Sequence, residues 1–251
     1  MVSGKYSALA GAISREQSIA NIGANLANIN TNGYKKSMVS FESILRGEQQ
    51  TNEGKGINYN RIRNNFTDFS PGAMRQTEDP LDMAIQGSGF FKLQGPLGVH
   101  YTRRGDFTIN QNGLLTTSNG FPVLDEAGSV ITIPDIDSDT IKVAIGDDGT
   151  IYLLGPEASR EEVAKIAVVD IEDKLTLKRE TDTTFSLENG GTEIESETYR
   201  VIQGNLELSN VNMAAEMAKM IDSHRIFETY HKVLKSYSTL SEQQQELGTV
   251  G

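Results

Sequence analysis

Apolar residues recur at helical spacing at both ends of the chain, which lie about two hundred residues apart. At the N-terminal end the steps of three and four residues are those of a helix that buries one stripe of side chains. A wider step between Ile13 and Ile19 resembles a stutter in that stripe. The pattern predicts an amphipathic N-terminal helix. Its stripe consists of Tyr6, Leu9, Ile13, Ile19, Ile22, Leu26 and Ile29.

The C-terminal end carries a heptad seam, which is a line of mainly apolar residues at alternating steps of three and four. Ser209 and Asn210 are good N-cap candidates, and neither Pro nor Gly interrupts the segment before Gly248. We therefore predict a helix of about forty residues, roughly 55 Å long. Periodicity alone is equally compatible with an antiparallel helical hairpin within the chain and with a coiled coil between subunits. The seam consists of Met213, Met217, Met220, His224, Phe227, Tyr230 or His231, Leu234 and Tyr237.

Between the two ends the pattern changes to short strands and tight turns. Pro71-Gly72 marks the change, and Asn112-Gly113 is typical of a hairpin turn. We predict an α+β fold with a central β domain between two terminal helices. The predicted parts are a coiled-coil-like helical domain made of residues 1–35 and 205–251, an extended connector with weak strand character over residues 36–70, and an all-β domain of hairpins over residues 71–204.

Charge is spread unevenly along the chain, whose formal net charge is −11. Residues 1–76 hold 9 basic and 5 acidic groups, whereas residues 125–197 hold 6 basic and 19 acidic groups. The excess of positive charge in residues 1–76 is too small to indicate a nucleic-acid-binding surface. We expect either complementary charged surfaces between subunits or a solvated acidic surface. No apolar run reaches the roughly eighteen residues of a membrane span, and no secretory signal opens the chain.

A search for catalytic or metal-binding chemistry finds little. The chain has no cysteine, and His224 and His231 have no carboxylate or third histidine at metal-ligand spacing. Asp135, Asp137 and Asp139 resemble the start of a calcium loop, but the glycine and the bidentate glutamate that such a loop requires are missing. We therefore expect no metal, no cofactor, no small-molecule substrate and no enzymatic activity.

Several blocks of the sequence resemble the bacterial flagellar rod and hook protein family. Residues 24–36, ANLANINTNGYKK, are similar to the family's N-terminal signature; residues 79–91 and 101–107 resemble its central motifs, and residues 204–212 its C-terminal block. The resemblance covers the chain from end to end. The residues that carry it are Asn25, Leu26, Ala27, Asn28, Asn30, Thr31, Gly33 and Tyr34; Pro80, Leu81, Asp82, Ile85, Gly87, Gly89, Phe90 and Phe91; and Ser209, Asn210, Val211, Asn212, Glu216 and Arg225.

The chain departs from the family at one place. Where the family has Gln-Arg-Ala before an aromatic residue, this sequence has His224-Arg225-Ile226-Phe227. Arg225 and Phe227 match the pattern, while the packing around the other two positions is not transferred. Chain length and the short connector are most similar to the proximal-rod branch of the family, with the distal-rod branch second.

The resemblance implies a structural subunit of a hollow helical rod that crosses the periplasm and transmits motor torque to the hook. The implied partners are other rod subunits and the flagellar type III export apparatus, which exports the chain without a cleaved signal peptide. The competing hypothesis is a coiled-coil-anchored surface or phage-tail binding module with an adhesive β head. That architecture would share the helices but gives no reason for the family blocks to occur together.

Particular residues have expected roles in such a subunit. The amides of Asn25, Asn28, Asn30 and Asn32 can bond backbone groups at a helix end and in a neighbour, or they can be solvated around a plain C-cap. Two further expectations concern single sites. Gly87 and Gly89 permit a tight bend before strand residues Phe90 and Phe91, and Met217 lies in the apolar seam.

Overall fold

The computed structural model describes residues 2–46, 57–96, 98–133, 142–155, 160–188, 190–196 and 198–248. The aspartates from Asp135 to Asp139 lie outside these ranges, as do residues 47–56 of the predicted connector. The chain divides into two compact units. One, here called the helical unit, contains Met1–Ala27, Ser37–Asp68 and Val211–Gly251; the other, the β unit, contains Asn28–Lys36 and Phe69–Asn210.

The described part of the helical unit contains two α-helices and a two-stranded antiparallel ribbon. The helices are α1 (Val2–Ala27) and α2 (Met213–Gly248), and the strands are β1 (Ser37–Arg46) and β2 (Ile57–Thr67). The pairing of β1 with β2 runs from Ser37 opposite Thr67 to Arg46 opposite Ile57. Much of the predicted connector is therefore regular strand, because pairing satisfies backbone groups that an isolated extended chain would leave to water.

Helix α2 is 36 residues long, but it begins later than the N-cap candidates predicted. Its first residue is Met213, and Asn212 is the cap: its Oδ1 accepts a hydrogen bond from the Ala215 N–H at 3.0 Å. The prediction of Ser209 or Asn210 as the cap is wrong. Asn210 cannot fill that role because its amide oxygen is bonded to the Lys36 N–H, at 2.7 Å.

Within the described residues, the β unit contains fifteen short strands, all in antiparallel pairs. Its largest sheet has six strands in the order β13-β14-β6-β5-β12-β15. The smaller groups are β11-β10-β9, β16-β4, β17-β3 and β7-β8. The strands are β3 (Met74–Gln76), β4 (Met83–Gly87), β5 (Phe90–Gly95), β6 (Gly98–Thr102), β7 (Phe107–Ile109), β8 (Leu115–Thr117), β9 (Lys142–Ile145), β10 (Thr150–Leu154), β11 (Arg160–Lys165), β12 (Val168–Ile171), β13 (Leu177–Arg179), β14 (Thr184–Leu187), β15 (Glu193–Glu195), β16 (Tyr199–Gln203) and β17 (Asn205–Glu207).

Two apolar clusters form the core of the β unit, and strand β5 contributes to both. Successive side chains of a strand point to opposite faces, so Phe91 enters the larger cluster and Phe90 the smaller. The chain reaches β5 through Gly87 and Gly89, whose φ angles are 103° and 128°. Such angles are unfavourable for residues with a Cβ, which explains glycine at the bend between β4 and β5.

Candidate functional site

The two helices pack with large residues of α2 over small residues of α1. A Cβ placed on Gly11 would lie 2.5 Å from the Tyr230 ring, and one on Gly4 would lie 2.6 Å from the Tyr237 hydroxyl. Gly23 is beside the terminal methyl of Met220. Residues with higher numbers in α1 contact residues with lower numbers in α2, so the two helices are antiparallel. The small residues let the two backbones approach closely.

The buried face of α1 differs from the predicted stripe. Tyr6, Leu9 and Ile13 are 43–57% exposed, although Ile22 is buried as expected. Large apolar side chains on this side of α1 would occupy the space that the tyrosine rings of α2 fill. The buried positions of α1 are Ala8, Gly11, Ala12, Ser14, Ser18, Ile22 and Asn25.

On α2 the least exposed positions recur at steps of three and four, and we call them the contact line. Met220, Phe227 and Leu234 of the predicted seam belong to it, whereas Met213 and Met217 are exposed. His224 is also exposed, because its neighbour Ser223 takes the buried position. The contact line consists of Glu216, Met220, Ser223, Phe227, Tyr230, Leu234 and Tyr237.

Asn25 ties the end of α1 to the start of β1. Its Nδ2 donates to the Ser37 carbonyl at 2.8 Å, and its Oδ1 accepts from the Ser37 N–H at 2.9 Å. The amide thus pairs with a backbone as a neighbouring strand would. Asn21 supports the same residue, since its Nδ2 donates to the Ser37 hydroxyl at 2.8 Å. This geometry agrees with the backbone-bonding role predicted for Asn25.

After α1 the N-terminal signature enters the β unit at a glycine. Gly33 has a φ of 70°, and its N–H donates to the Glu207 carbonyl at 2.7 Å. A Cβ there would lie 2.4 Å from the backbone nitrogen of Arg104. Both the dihedral angle and the close approach require glycine. Nearby, the Thr31 hydroxyl donates to the Asn28 side chain at 3.0 Å, and Asn32 accepts from Arg75 at 3.3 Å.

Lys35, two residues after Gly33, forms a buried ion pair with Glu207. The side chains of Lys35 and Glu207 are each only 1% exposed, and Lys35 Nζ lies 2.6 Å from Glu207 Oε1. Lys35 also donates to the Ser70 carbonyl at 2.8 Å, and the Gly72 N–H donates to the same glutamate oxygen at 2.8 Å. Burial of two charges is tolerated when they pair and are hydrogen-bonded in this way.

Arg103 extends this pair to the central motif. Its Nη1 is 3.6 Å from Glu207 Oε2, and its guanidinium donates to the carbonyls of Ile85, at 3.1 Å, and Gly87, at 2.8 Å. The same group lies over the Phe90 ring, 5.3 Å from its centre. Burial lowers the pKa of Arg103, and the Glu207 charge opposes that shift. We call Lys35, Arg103 and Glu207 the ionic node.

Tyr34 is held in a separate stack. The Arg179 guanidinium lies 4.8 Å from the centre of the Tyr34 ring and 4.9 Å from that of Phe185, and it donates to the Lys35 carbonyl. Burial lowers the pKa of Arg179. Cation–π contacts of this kind gain strength when the ring and cation are shielded from water. The stack therefore anchors the end of the N-terminal signature to strands β13 and β14.

The ionic node brings together residues from every block that resembles the family. Lys35, Arg103 and Glu207 all lie in these blocks, but no local pattern in the sequence distinguishes all three. Lys35 and Glu207 are 172 residues apart along the chain, so no local spacing relates them. One signal was present, because Glu207 interrupts an apolar strand between Leu206 and Leu208.

Asn210 joins three segments of the β unit. Its Oδ1 accepts from the Lys36 N–H at 2.7 Å, and its Nδ2 donates to both the carbonyl and the hydroxyl oxygen of Ser70 at 3.1 Å. Lys36, Ser70 and Asn210 each lie at or next to a point where the chain leaves this unit. One side chain thus fixes three of the departing segments to one another.

Replacing Asn210 by Ala is expected to lower the free energy of unfolding by about 1–2 kcal/mol, because the Lys36 N–H and the Ser70 carbonyl lose a shared partner. Urea unfolding followed by circular dichroism measures the change. Asn205→Ala is the matched control, since its amide donates to the nearby Gln203 carbonyl. Equal losses in both variants would contradict a special role for Asn210.

The rest of the central motif lies at the β4 end of the β unit. Leu81 packs against the larger core cluster, and its N–H donates to Asp79. The Pro80 carbonyl accepts from Gln203 at 2.7 Å. The Asp82 carbonyl accepts from the Gly204 N–H, and burial raises the pKa of the Asp82 carboxyl. This motif thus joins the start of β4 to the turn between β16 and β17.

The remaining predicted residues vary in burial. Glu216 is buried and lies 3.0 Å from Lys219, and Val211 is buried. Leu26 and Ser209 are half-buried, whereas Ala27, Asn30 and Arg225 are exposed. Within the described ranges, no three histidine, cysteine, aspartate or glutamate side chains group as a metal site would require. Neither helix of the described chain is long and apolar enough to cross a membrane.

Two family descriptions match parts of the chain. "Flagellar hook protein FlgE/F/G D1 domain" matches residues 84–153, and "Flagellar basal body rod FlgEFG protein C-terminal" matches residues 202–247. The first matched range contains Arg103 and the second contains Glu207, so each range includes one residue of the ionic node. The second also covers most of α2.

Curated relatives match over nearly the whole chain. The flagellar basal-body rod protein FlgG of Bacillus subtilis is 30% identical over 93% of this chain and 94% of its own length. FlgF of Caulobacter vibrioides is 32% identical over 86% of each protein, and FlgF of Escherichia coli is 32% identical over 92% of each. With its family motifs gathered at the ionic node, the chain belongs to the flagellar basal-body rod proteins and is a structural subunit of the flagellar rod.

Proposed function

We propose that this subunit occupies the proximal rod, because its chain length and short connector are most similar to the proximal-rod branch of the family, and that it assembles helically with its neighbours to transmit motor torque to the hook. The observation that carries the assembly proposal is the face of the helical unit. Large apolar residues stay exposed on α1 and α2, although a chain acting alone gains stability by burying them. The relatives include both FlgF and FlgG, so the distal rod is the alternative position.

The terminal helices are the proposed assembly elements, and they form a coiled-coil-like tube wall with those of neighbouring subunits. Within the β unit, the ionic node joins the N-terminal signature to the central and C-terminal motifs. The proposed route to this place is export by the flagellar type III apparatus without a cleaved signal peptide. A chain without cysteine cannot be trapped by disulfides on that route. The rod names of the relatives favour this function over a surface or phage-tail binding module.

Replacing Met217 by Asp is expected to abolish or strongly reduce swimming while leaving the isolated protein folded. Met217 is exposed in the single chain, so the charge costs little there, but it would be desolvated against a neighbour. Soft-agar motility and circular dichroism of the purified variant measure the two effects. Ala218→Asp is the control, because this exposed position lies opposite the contact line. Normal swimming of the Met217 variant would count against this assembly face.

Quantitative mass spectrometry of purified hook–basal bodies tests the position in the rod. Peptides of this chain are counted against a hook subunit as internal reference. About one helical turn of copies supports the proximal rod, and several turns would move the assignment to the distal rod. Failure to find the chain in the particles would contradict the proposed function as a whole.

A further inference from the structure

Strand β15 forms an edge of the six-stranded sheet. It pairs with β12, and within the described ranges no strand lies on its other side. All three of its residues, Glu193, Ile194 and Glu195, are exposed. An edge strand presents unpaired backbone N–H and C=O groups, which are a template for a further strand. The largest sheet of the β unit therefore ends in a surface that can accept one more strand.

The pairing with β12 fixes which backbone groups of β15 face outward. Just beyond the two strands, the Glu172 N–H donates to the Thr192 carbonyl. Hydrogen-bonded pairs alternate along an antiparallel ladder, so Ile194, two residues further on, directs its backbone groups to β12. The N–H and C=O groups of Glu193 and Glu195 therefore point away from β12. An added antiparallel strand can bond to all of them.

Another sheet edge in the β unit is closed by a side chain. Strand β9 has β10 on one side, and on the other the Gln203 amide accepts from the Ile145 N–H and donates to the Val143 carbonyl, each at 3.1 Å. The amide thus occupies backbone groups that an added strand would use. Among the described residues, no side chain closes the outward groups of Glu193 and Glu195 in this way.

An open cleft lies beside the β15 edge, with a volume of about 770 Å³. Ile194 is 43% exposed and forms an apolar wall of the cleft. Asp170 is opposite Ile194 in the ladder, so the two side chains point to the same face of the sheet. A residue of an added strand opposite Ile194 would direct its side chain to that face as well. The cleft is lined by Ser88, Asp170, Ile194, Glu195, Ser196 and Thr198.

The charges at this edge favour a basic partner. Both polar contacts of the Asp170 carboxylate in the described chain use Oδ1, which accepts from the Ile171 N–H at 2.9 Å and lies 3.5 Å from Lys174 Nζ. Its Oδ2 remains for a further cation. The aliphatic stem of a lysine or arginine can cross Ile194 while its charged end reaches this oxygen. Glu195 adds a second carboxylate to the cleft.

Charged residues on an edge strand normally prevent pairing with other chains. The glutamates of β15 act in this way against acidic and apolar strands, but they attract a basic one. The surrounding region strengthens the selection, because residues 125–197 hold 6 basic and 19 acidic groups. The edge therefore accepts strands selectively and is not fully protected.

We propose that β15 binds an extended basic segment of a partner protein by strand addition, with a lysine or arginine of that segment in the cleft beside Ile194. Backbone hydrogen bonds to Glu193 and Glu195 supply affinity, and the cleft supplies specificity. This contact goes beyond the proposed rod assembly, because it uses the β unit and not the terminal helices.

Fluorescence anisotropy with a labelled peptide, KVKVK-amide, tests strand addition on the purified full-length protein at low salt. The central lysine is placed opposite Ile194, so the valine N–H groups face β15. We expect the peptide to bind and an EVEVE peptide not to bind. N-methylation of both valines keeps the charge but removes the donors, and it should weaken binding about tenfold or more. Hydrogen exchange should show new protection of Glu193 and Glu195 in the complex.

Variants of the protein separate the backbone contribution from the charge. E195P removes an outward N–H and leaves the bonds to β12 in place, so it should weaken binding about tenfold. E195Q keeps the N–H and should weaken binding only about threefold. D170N tests the cleft and should weaken binding of the lysine peptide by a similar factor. Glu161→Gln, at an exposed position of strand β11, is the control and should bind as the unaltered protein does.

Three results would overturn the inference. Equal binding of the N-methylated peptide would mean that charge attraction alone holds it, without strand addition. Absence of binding by the lysine peptide would exclude a basic segment as the occupant. Self-association of the protein that E195P abolishes, without peptide binding, would assign the edge to a second copy. Each of these results leaves the rod function intact, and circular dichroism verifies that every variant is folded.

Discussion

Replacing Glu207 by Gln is expected to lower the free energy of unfolding by about 3–5 kcal/mol, because Lys35 and Arg103 would remain buried without their counter-charge. The amide keeps the shape of the side chain and can still accept from the Gly72 N–H. The loss therefore reports the charge and not a cavity. For a chain of this size the expected fall in melting temperature is on the order of 10 °C.

Urea unfolding of the purified protein, followed by circular dichroism, measures this effect. Glu195→Gln is the matched control, since it removes the same charge from an exposed position of strand β15 and should change stability by less than about 0.5 kcal/mol. A double variant, Lys35→Met with Glu207→Leu, should recover part of the loss, because an apolar pair needs no counter-charge. If Glu207→Gln behaves like the control, the ionic node does not hold the motifs together.

The second large effect is expected for Gly33→Ala, which should lower the free energy of unfolding by about 3–4 kcal/mol. A left-handed φ costs about 1–2 kcal/mol for a residue with a Cβ, and overlap with the Arg104 backbone adds a similar amount. The backbone on both sides must move for the methyl group to fit, so the Glu207 carbonyl would lose its bond from this N–H as well.

Gly120→Ala separates the two causes. Gly120 has a φ of 83°, and a Cβ placed there would meet no atom within 4 Å. It should therefore show only the dihedral cost, about 1–2 kcal/mol. Urea unfolding of both variants under the same conditions gives the difference. Equal losses would mean that the close approach to Arg104 contributes nothing.

The sequence predicted the order of the elements well because that order depends on local patterns. Helical spacing at the ends, turn residues in the middle and an uninterrupted segment up to Gly248 all act over a few residues. The connector was harder to predict, because the pairing of Ser37 with Thr67 is decided by contacts that a short window does not contain. Apolar and polar residues alternate only weakly in the connector, so the sequence did not predict that it forms two strands of 10 and 11 residues.

The buried face of α1 could not be derived from apolar spacing. Such spacing assigns Tyr6 and Leu9 to the interior, yet Ala8 and Gly11 are buried instead. Small residues contribute little to a hydrophobic pattern in the sequence. They are buried here because the tyrosine rings of α2 pack over them. The large residues Tyr6, Leu9 and Ile13 lie on an exposed face of α1 and not in the intrachain contact.

The ionic node and the Asn210 contacts were beyond sequence reasoning for a different reason. They join residues from segments that are remote along the chain, and their polar types look like surface residues until the fold buries them. A pair such as Lys35 and Glu207 is recognisable only when both side chains are known to be inside. Family resemblance identified the right segments without indicating what their charged residues do.

The most direct test of the rod assignment is cryo-electron microscopy of intact hook–basal bodies from cells that produce this chain. We expect density for this sequence within the rod, with α1 and α2 packed side by side in contact with neighbouring subunits. A rod whose density is fully accounted for by other proteins, with this chain absent, would contradict the account.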